Sequence, residues 1–466
     1  MEINGVDYHY YENTRDLFRA QYDWEHLVLT AGTTVENWDL KIPISKRSAK
    51  QITEILYFIH EYIHYLQNFC TIWGVGIFSD LFLAFSKISV SGVKGASKFE
   101  PPLLGRFIGD VLFDEGVLLR YETLERLRKS DSYSSDLKNE LREITGHYHG
   151  EKVILTNGIC ECAIGIQAIR EHMANLGSFL LLGYSDEDIY RENRTFGDFI
   201  DERSRQFRKP EYWIIFDFFK SNHPNLKNLA GGLFYLFNEC LTRANPDRAF
   251  YRFFEYFQSD LDRYLIGKPF IELVNQWLSA SIENSSYQSS LTLTMENLNQ
   301  RLEFIDRELG HDLPKAAGKI IRMMKTNIIR GDGGRNLFSN EFSFADLDSW
   351  NKMIGRFGSC LVSFNQEIRI LGDDKFCKEM EEPFVLMNSA TLAFKEVNEN
   401  NSFFTCPFYI DIPICKAPEK REEICDRNPY EMLKIQTSDN CCNFMCGLIS
   451  LGLEKRLNLR DNKKEG

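Results

Sequence analysis

The stretch from Ser48 to Gly74 limits what this chain can fold into more than any other part of the sequence. Ser48-Ala-Lys-Gln51 has the S-x-x-Q form of a capping box, which predicts a helix starting at Ala49. From there to about Gly74, Ile52, Ile55, Leu56, Phe58, Ile59, Ile63, Leu66, Phe69 and Ile72 put apolar side chains on nearly every side. A helix apolar all round belongs at the centre of a fold, with other elements packed about it. His60, Glu61, His64 and Gln67 are set into this same segment. Burying such groups is costly unless something pairs with them.

The pattern His60-Glu61-Tyr62-Ile63-His64 is H-E-x-x-H. At 3.6 residues per turn the two imidazoles lie about 40° apart around the axis, so both face one point. Glu61 lies about 60° from His64 on the same side, where its carboxylate reaches a water activated by a bound metal. Neutral imidazoles are good ligands for Zn²⁺, and a catalytic centre then needs a third protein ligand and one open position. Gln67 falls about 20° from His60, either holding a ligand in place or serving as a buried amide bonded to backbone.

A chain of 466 residues is long enough for several domains. Apolar residues at 43%, with 36 Phe and 20 Tyr against 13 Pro, favour a packed, ordered structure. The expected class is mainly α with α+β parts: a helical catalytic core, a short N-terminal β-hairpin and a Cys-rich α+β C-terminal module. The expected divisions are 1–46 for the hairpin region, 47–284 for the helical domain, 285–360 for a helical linker region and 361–466 for the module. The hairpin is read in Trp24–Thr30 and Thr34–Ile42, about a turn at Ala31-Gly32-Thr33. A second helix rich in small residues is read over Gly158–Gly177, able to approach another helix closely. The polar stretch 129–150 reads as a loop; within it Gly146-His147-Tyr148-His149-Gly150 either supports an oxyanion or is simply solvated. Residues 211–280 read as helices with Phe-rich faces, Ser285–Ser290 as a linker, and Gly331–Gly334 as a flexible loop lacking the Lys-Ser/Thr of a phosphate site. From 361 the pattern turns strand-like, with pieces at Leu361–Phe364 and Phe403–Pro413.

A net charge of −12 opposes nucleic acid and anionic membrane as partners. The most apolar run, 72–90, is broken by Asp80 and Lys87, and no membrane span is expected. No secretory signal is visible, and twelve Cys without one point to a cytoplasmic protein with reduced thiols. Half of those Cys fall in the last 61 residues. Cys442-x3-Cys446 with Cys415 and Cys425 is a candidate structural zinc site, against the simpler reading of buried apolar thiols.

His60-Glu61-Tyr62-Ile63-His64 with Gln67 one turn on resembles the zincin superfamily of metallopeptidases, and in its H-E-Y-x-H-x-x-Q form is similar to a group of bacterial zincin-like proteins. The resemblance covers this helix and, more weakly, 158–177, about one-tenth of the chain. The metzincin pattern is absent, since position 67 is Gln and position 70 is Cys where a third His would fall. That implies a gluzincin-like centre completed by a Glu on a later helix. Ala168-Ile-Arg-Glu171-His-Met-Ala174 resembles the E-x-x-A segment of such families, which makes Glu171 the third ligand, with His172 and Glu161 as competitors. The resemblance implies a zinc metallopeptidase hydrolysing a peptide bond through zinc-activated water, with Glu61 as general base. The alternatives are an inactive zincin-like binding or scaffold protein, and a narrow-specificity bacterial effector or defence hydrolase.

Overall fold

Helix α1 runs Ala49–Cys70 and begins as its capping box requires, the Gln51 amide donating to Ser48 Oγ while Gln51 Oε1 accepts from the Ser48 amide. The computed structural model describes residues 2–3, 6–7, 21–23, 28–31, 44–96, 117–119, 144–150, 152–156, 160–190, 213–259, 269–338, 342–364, 367–398 and 442–452. The helix ends one turn earlier than Gly74. Thr71 is extended (φ −107°, ψ 155°), and its Oγ1 donates back to the Gln67 carbonyl and accepts from the Gly74 amide, capping the next helix, α2 (Ile72–Ala96). A Cβ at Gly74 would sit 2.1 Å from the Gln67 carbonyl oxygen, so only glycine allows this reversal.

Helix α2 is long and apolar enough to cross a membrane, yet most of that run is buried against α1 and two later helices. Its Asp80 pairs with Arg301 Nη2 at 2.6 Å. After α2 come α3 (Ile166–Leu181), α4 (Ile214–Asn222), α5 (Leu229–Leu241), α6 (Pro246–Ser259), α7 (Phe270–Ser279), α8 (Ser281–Arg307), α9 (Asp312–Arg330), α10 (Leu347–Phe357), α11 (Asp374–Asn398) and α12 (Asn443–Ser450). The described residues are thus mainly helical, with α1 packed among α2, α3 and α9.

The strands are β1 (Glu2–Ile3), β2 (Val6–Asp7), β3 (Gln21–Asp23), β4 (Val28–Ala31), β5 (Val117–Leu119), β6 (Thr145–His149), β7 (Lys152–Thr156), β8 (Cys160–Ile164), β9 (Leu361–Phe364) and β10 (Glu367–Ile370). The N-terminal hairpin differs from expectation: β3 pairs antiparallel with β4, and Ala31 lies in the strand, not in the turn. Strand β4 is central because β9 pairs with it in parallel from the far end of the chain, a partner that local sequence does not signal. Residues 34–42 lie outside the described residues. The second four-stranded sheet is antiparallel, in the order β5-β8-β7-β6.

That second sheet corrects two expectations. Residues 160–164 form a strand where a helix over 158–177 was expected, because Cys162 and Ile164 are buried while Glu161 is not: a period of two. Gly165 then caps α3. Residues 145–149, read as loop, form β6, with Gly150 at φ 67° turning it toward β7. The expected linker 285–290 lies inside α8, because Tyr287 is fully buried there and anchors the helix. Its hydroxyl donates to Asp332 Oδ1 at 2.8 Å. The Gly331–Gly334 segment is correspondingly fixed: Gly333 and Gly334 are buried, and Asn238 Nδ2 donates to the Gly334 carbonyl at 3.0 Å.

The Phe-rich faces fall as expected, with Phe250, Phe253, Phe254 and Phe257 of α6 buried. Along the back of α1, Phe58, Tyr62, Tyr65 and Phe69 stack ring on ring with centroids 4.9–5.8 Å apart. The Tyr62 and Tyr65 hydroxyls donate to the carbonyls of Gly358 and Phe357 at 2.9 and 3.0 Å. The back of α1 is thereby tied to the end of α10, which leaves its opposite face to α3.

Candidate metal centre

Helices α1 and α3 pack closely because α3 offers small residues at the contact. Ala168 and Ala174 are fully buried, and a methyl at Gly177 would lie 2.3 Å from Ile63 Cδ1. Ser178 Oγ adds a bond to the Leu56 carbonyl at 3.2 Å. This contact carries Glu171 of α3 up to the histidines of α1. Glu171 Oε2 lies 3.4 Å from His60 Nε2 and 3.4 Å from His64 Nε2. The imidazole rings are nearly perpendicular, with centroids 4.9 Å apart.

Those distances discriminate between two kinds of contact. A charge-assisted hydrogen bond between imidazole and carboxylate measures about 2.7–2.9 Å. Ligands on neighbouring corners of a tetrahedron with metal bonds of about 2.1 Å stand about 3.4 Å apart. The observed 3.4 Å is long for such a bond and suits donors able to share one ion. Among the described residues these three side chains form the His/Cys/Asp/Glu group able to hold a metal, their ligand atoms lying within 4.8 Å of one another. The donor set, two imidazole nitrogens and one carboxylate oxygen, suits a first-row divalent cation. With side-chain exposures of 15%, 7% and 11% for His60, His64 and Glu171, the group is buried but not sealed.

Burial opposes charge on His60 and Glu171, yet their neighbours outweigh it on both. Burial alone would raise the Glu171 carboxyl, but the charges of His64 and His60 beside it carry it well below the usual carboxylate range. Burial alone would lower His60, but the adjacent carboxylates of Glu171 and Glu61 carry it above its usual range. Glu61 therefore acts on His60 at close range while standing outside the ligand group.

Outside the ligands lies a ring of amides. His64 Nδ1 meets Gln67 Oε1 at 2.8 Å. Gln67 Nε2 in turn donates to the Arg170 carbonyl at 3.1 Å, and Arg170 Nε donates to Gln67 Oε1 at 3.2 Å. Glu171 Oε1 accepts from Gln167 Nε2 at 2.8 Å, which leaves Oε2 as the oxygen turned toward the histidines. Asn175, one turn beyond Glu171, stands beside His60 and helps to raise it. Such partners fix ligand tautomer and orientation. Of these, the expected ligand-holding role of Gln67 is the one the sequence signalled. Gln167, Arg170 and Asn175 were not singled out, although the i−4 and i+4 spacing of Gln167 and Asn175 about Glu171 was there to be read.

The competing ligands are elsewhere. His172 is turned away, with Nδ1 at 2.8 Å from the Ala168 carbonyl and Nε2 accepting from the Ile215 amide at 3.0 Å, so both ring nitrogens hold up α3 and α4. Glu161 projects from β8, its Oε1 3.6 Å from His147 Nε2 on β6. His147 and His149 are exposed on the same side of that edge strand. Cys70 is fully buried and its thiol is pushed up by burial, the opposite of an activated nucleophile. Of the four expected structural-zinc cysteines, Cys415 and Cys425 lie outside the described residues, while Cys442 and Cys446 sit one turn apart at the start of α12. No family model, curated protein or solved structure matches the chain.

Proposed function

We propose that this chain is a zinc-dependent hydrolase acting on peptide bonds, with His60, His64 and Glu171 as the metal ligands. The observation that carries the reading is the pair of 3.4 Å separations from one carboxylate oxygen to two imidazole nitrogens. Among the described residues three protein ligands come together, not four, which is the count of a catalytic zinc centre, and the partial exposure of the group would let a substrate approach. Zinc held there would supply Lewis acidity, lowering the pKa of a water and polarising a carbonyl.

The chain's own residues supply the proton traffic. Glu61 accepts a proton from the attacking water and delivers it to the leaving amine. On α1 its phase between His60 and His64 is the one from which that carboxylate would reach the centre. Gln67 and Gln167 hold His64 and Glu171 in place. The peptide bond as substrate is drawn from the likeness of this helix and its later Glu to zincin peptidases.

The test pairs metal content with turnover. Purified protein is expected to carry about one zinc per chain and to cleave members of a broad peptide library. Glu61→Gln is expected to keep the zinc while lowering turnover by about 10²–10⁴-fold. Equal turnover in that variant removes Glu61 from the chemistry. Zinc bound without cleavage of any peptide points to the binding or scaffold alternative.

A further inference from the structure

We infer that Arg170 is a positioning residue of the metal centre: it sets the orientation of the Gln67 amide and thereby the tautomer of His64. The inference rests on the metal reading above and goes beyond it, to what makes His64 Nε2 a ligand at all. An imidazole coordinates through a nitrogen that carries a lone pair, so Nε2 ligation requires the proton on Nδ1. The partner of Nδ1 is Gln67, whose carboxamide has an acceptor end and a donor end of nearly the same shape. With Oε1 toward His64, the ring is held as Nδ1–H and Nε2 is open to a metal. Flipped, the amide would offer N–H to Nδ1 and drive the proton to Nε2, closing the ligand position.

Arg170 removes that ambiguity with two groups that each work in one direction only. Its carbonyl can only accept, and takes Gln67 Nε2 at 3.1 Å. Its guanidinium can only donate, and reaches Gln67 Oε1 at 3.2 Å. Both contacts fail if the amide flips. Arg170 is itself held: it is 4% exposed, and its guanidinium lies 5.2 Å from the centroid of Trp73, the second residue of α2. Because Arg170 immediately precedes Glu171, two consecutive residues of α3 place one ligand and choose the protonation pattern of another. The centre is therefore keyed across the α1–α3 contact as a unit.

The test is a double-mutant cycle on the full-length chain, read as the dissociation constant for Zn²⁺ alone in competition with a chelating dye. Arg170→Met, which keeps the packing on Trp73, is expected to weaken zinc by about 10-fold, within the range for loss of an outer partner. In a Gln67→Met background the same change is expected to cost less than about twofold, because its route to His64 is already cut. An equal cost in both backgrounds, or no cost in either, overturns the proposal. Selective ¹⁵N labelling of histidine gives a second readout in the zinc-free protein. His64 Nδ1 is expected to carry a proton held on Gln67 Oε1 and protected from solvent exchange in wild type, and to lose that protection in Arg170→Met; unchanged protection overturns the proposal. If wild type binds no zinc, the metal reading falls by itself, and these spectra still decide the role of Arg170. Should Arg170→Met not fold, Arg170→Lys carries the test: an ammonium can still only donate to Gln67 Oε1, so zinc affinity is expected within about threefold of wild type with Nδ1 of His64 still protected, and loss of both in a folded protein overturns the inference.

Discussion

Replacing Gly177 with Ala tests whether the closeness of α1 and α3 is what brings the ligands together. A methyl there would lie 2.3 Å from Ile63 Cδ1 and 3.1 Å from Phe234 Cε2. Ordinary carbon contacts are about 3.5–4.0 Å, so the first contact is short by more than about 1 Å. Either Ile63 leaves its rotamer or the helices part. Overpacking of this kind costs about 1–3 kcal/mol, against a gain of about 1 kcal/mol from replacing Gly by Ala within a helix. The net expectation is a loss of up to about 2 kcal/mol in urea unfolding, together with weaker zinc binding as Glu171 is carried away from His60 and His64. Ile63→Val deletes the clashing carbon and alone costs about 0.5–1.5 kcal/mol. The Ile63→Val/Gly177→Ala pair should then be more stable than the sum of the single changes by about 1 kcal/mol or more, with zinc affinity partly restored. If Gly177→Ala shows the full stabilising gain of an alanine and binds zinc like wild type, then Gly177 does not limit the helix spacing and the account of the site's assembly is wrong.

Two further outcomes follow from the same geometry. Glu171→Gln removes the carboxylate and is expected to empty the centre of zinc on metal analysis, whereas His172→Phe should keep the zinc and lower stability by about 1–3 kcal/mol, because the buried Ile215 amide loses its acceptor; the reverse pattern would exchange the two assignments. In the zinc-free protein, His60 is raised in the folded state, so its contribution is present below the usual 6.5 and lost as pH rises through the folded value. Glu171 is lowered, so its contribution is present above the usual 4.5 and lost as pH falls through the folded value. Urea midpoints in chelator should therefore carry a component that peaks between 4.5 and 6.5 and vanishes in Glu171→Gln; a component that keeps rising into the alkaline range would contradict it.

What was legible in the sequence was what is encoded within a few residues. The capping box at Ser48–Gln51, the apolar wrap of α1, the H-E-x-x-H phase and the aromatic face of α6 are local signals, and each appears where its period places it. The errors arise where a distant segment decides. Thr71 could have continued α1 by composition, and turns instead because Gly74 lets the chain fold back on Gln67 and Asn68. Ser285–Ser290 has the composition of a linker, and is helical because Tyr287 reaches Asp332 forty-five residues on. Val28–Ala31 was placed in a local hairpin register, but its second neighbour is β9, more than three hundred residues away.

The site divides along the same line, which explains why Glu171 was found and Arg170 was not. Glu171 was reached through the resemblance of Ala168–Ala174 to an E-x-x-A segment, once two imidazoles called for a third donor. No such demand points to Arg170. Its work depends on a carbonyl and a guanidinium from one residue meeting both ends of one amide, across a helix contact separated by 103 positions in the chain. Read alone, an arginine beside a glutamate on a helix looks like a solvated charge. Only the burial of its side chain against Trp73 shows that the charge faces inward, where each hydrogen bond has a fixed direction and the direction carries the chemistry.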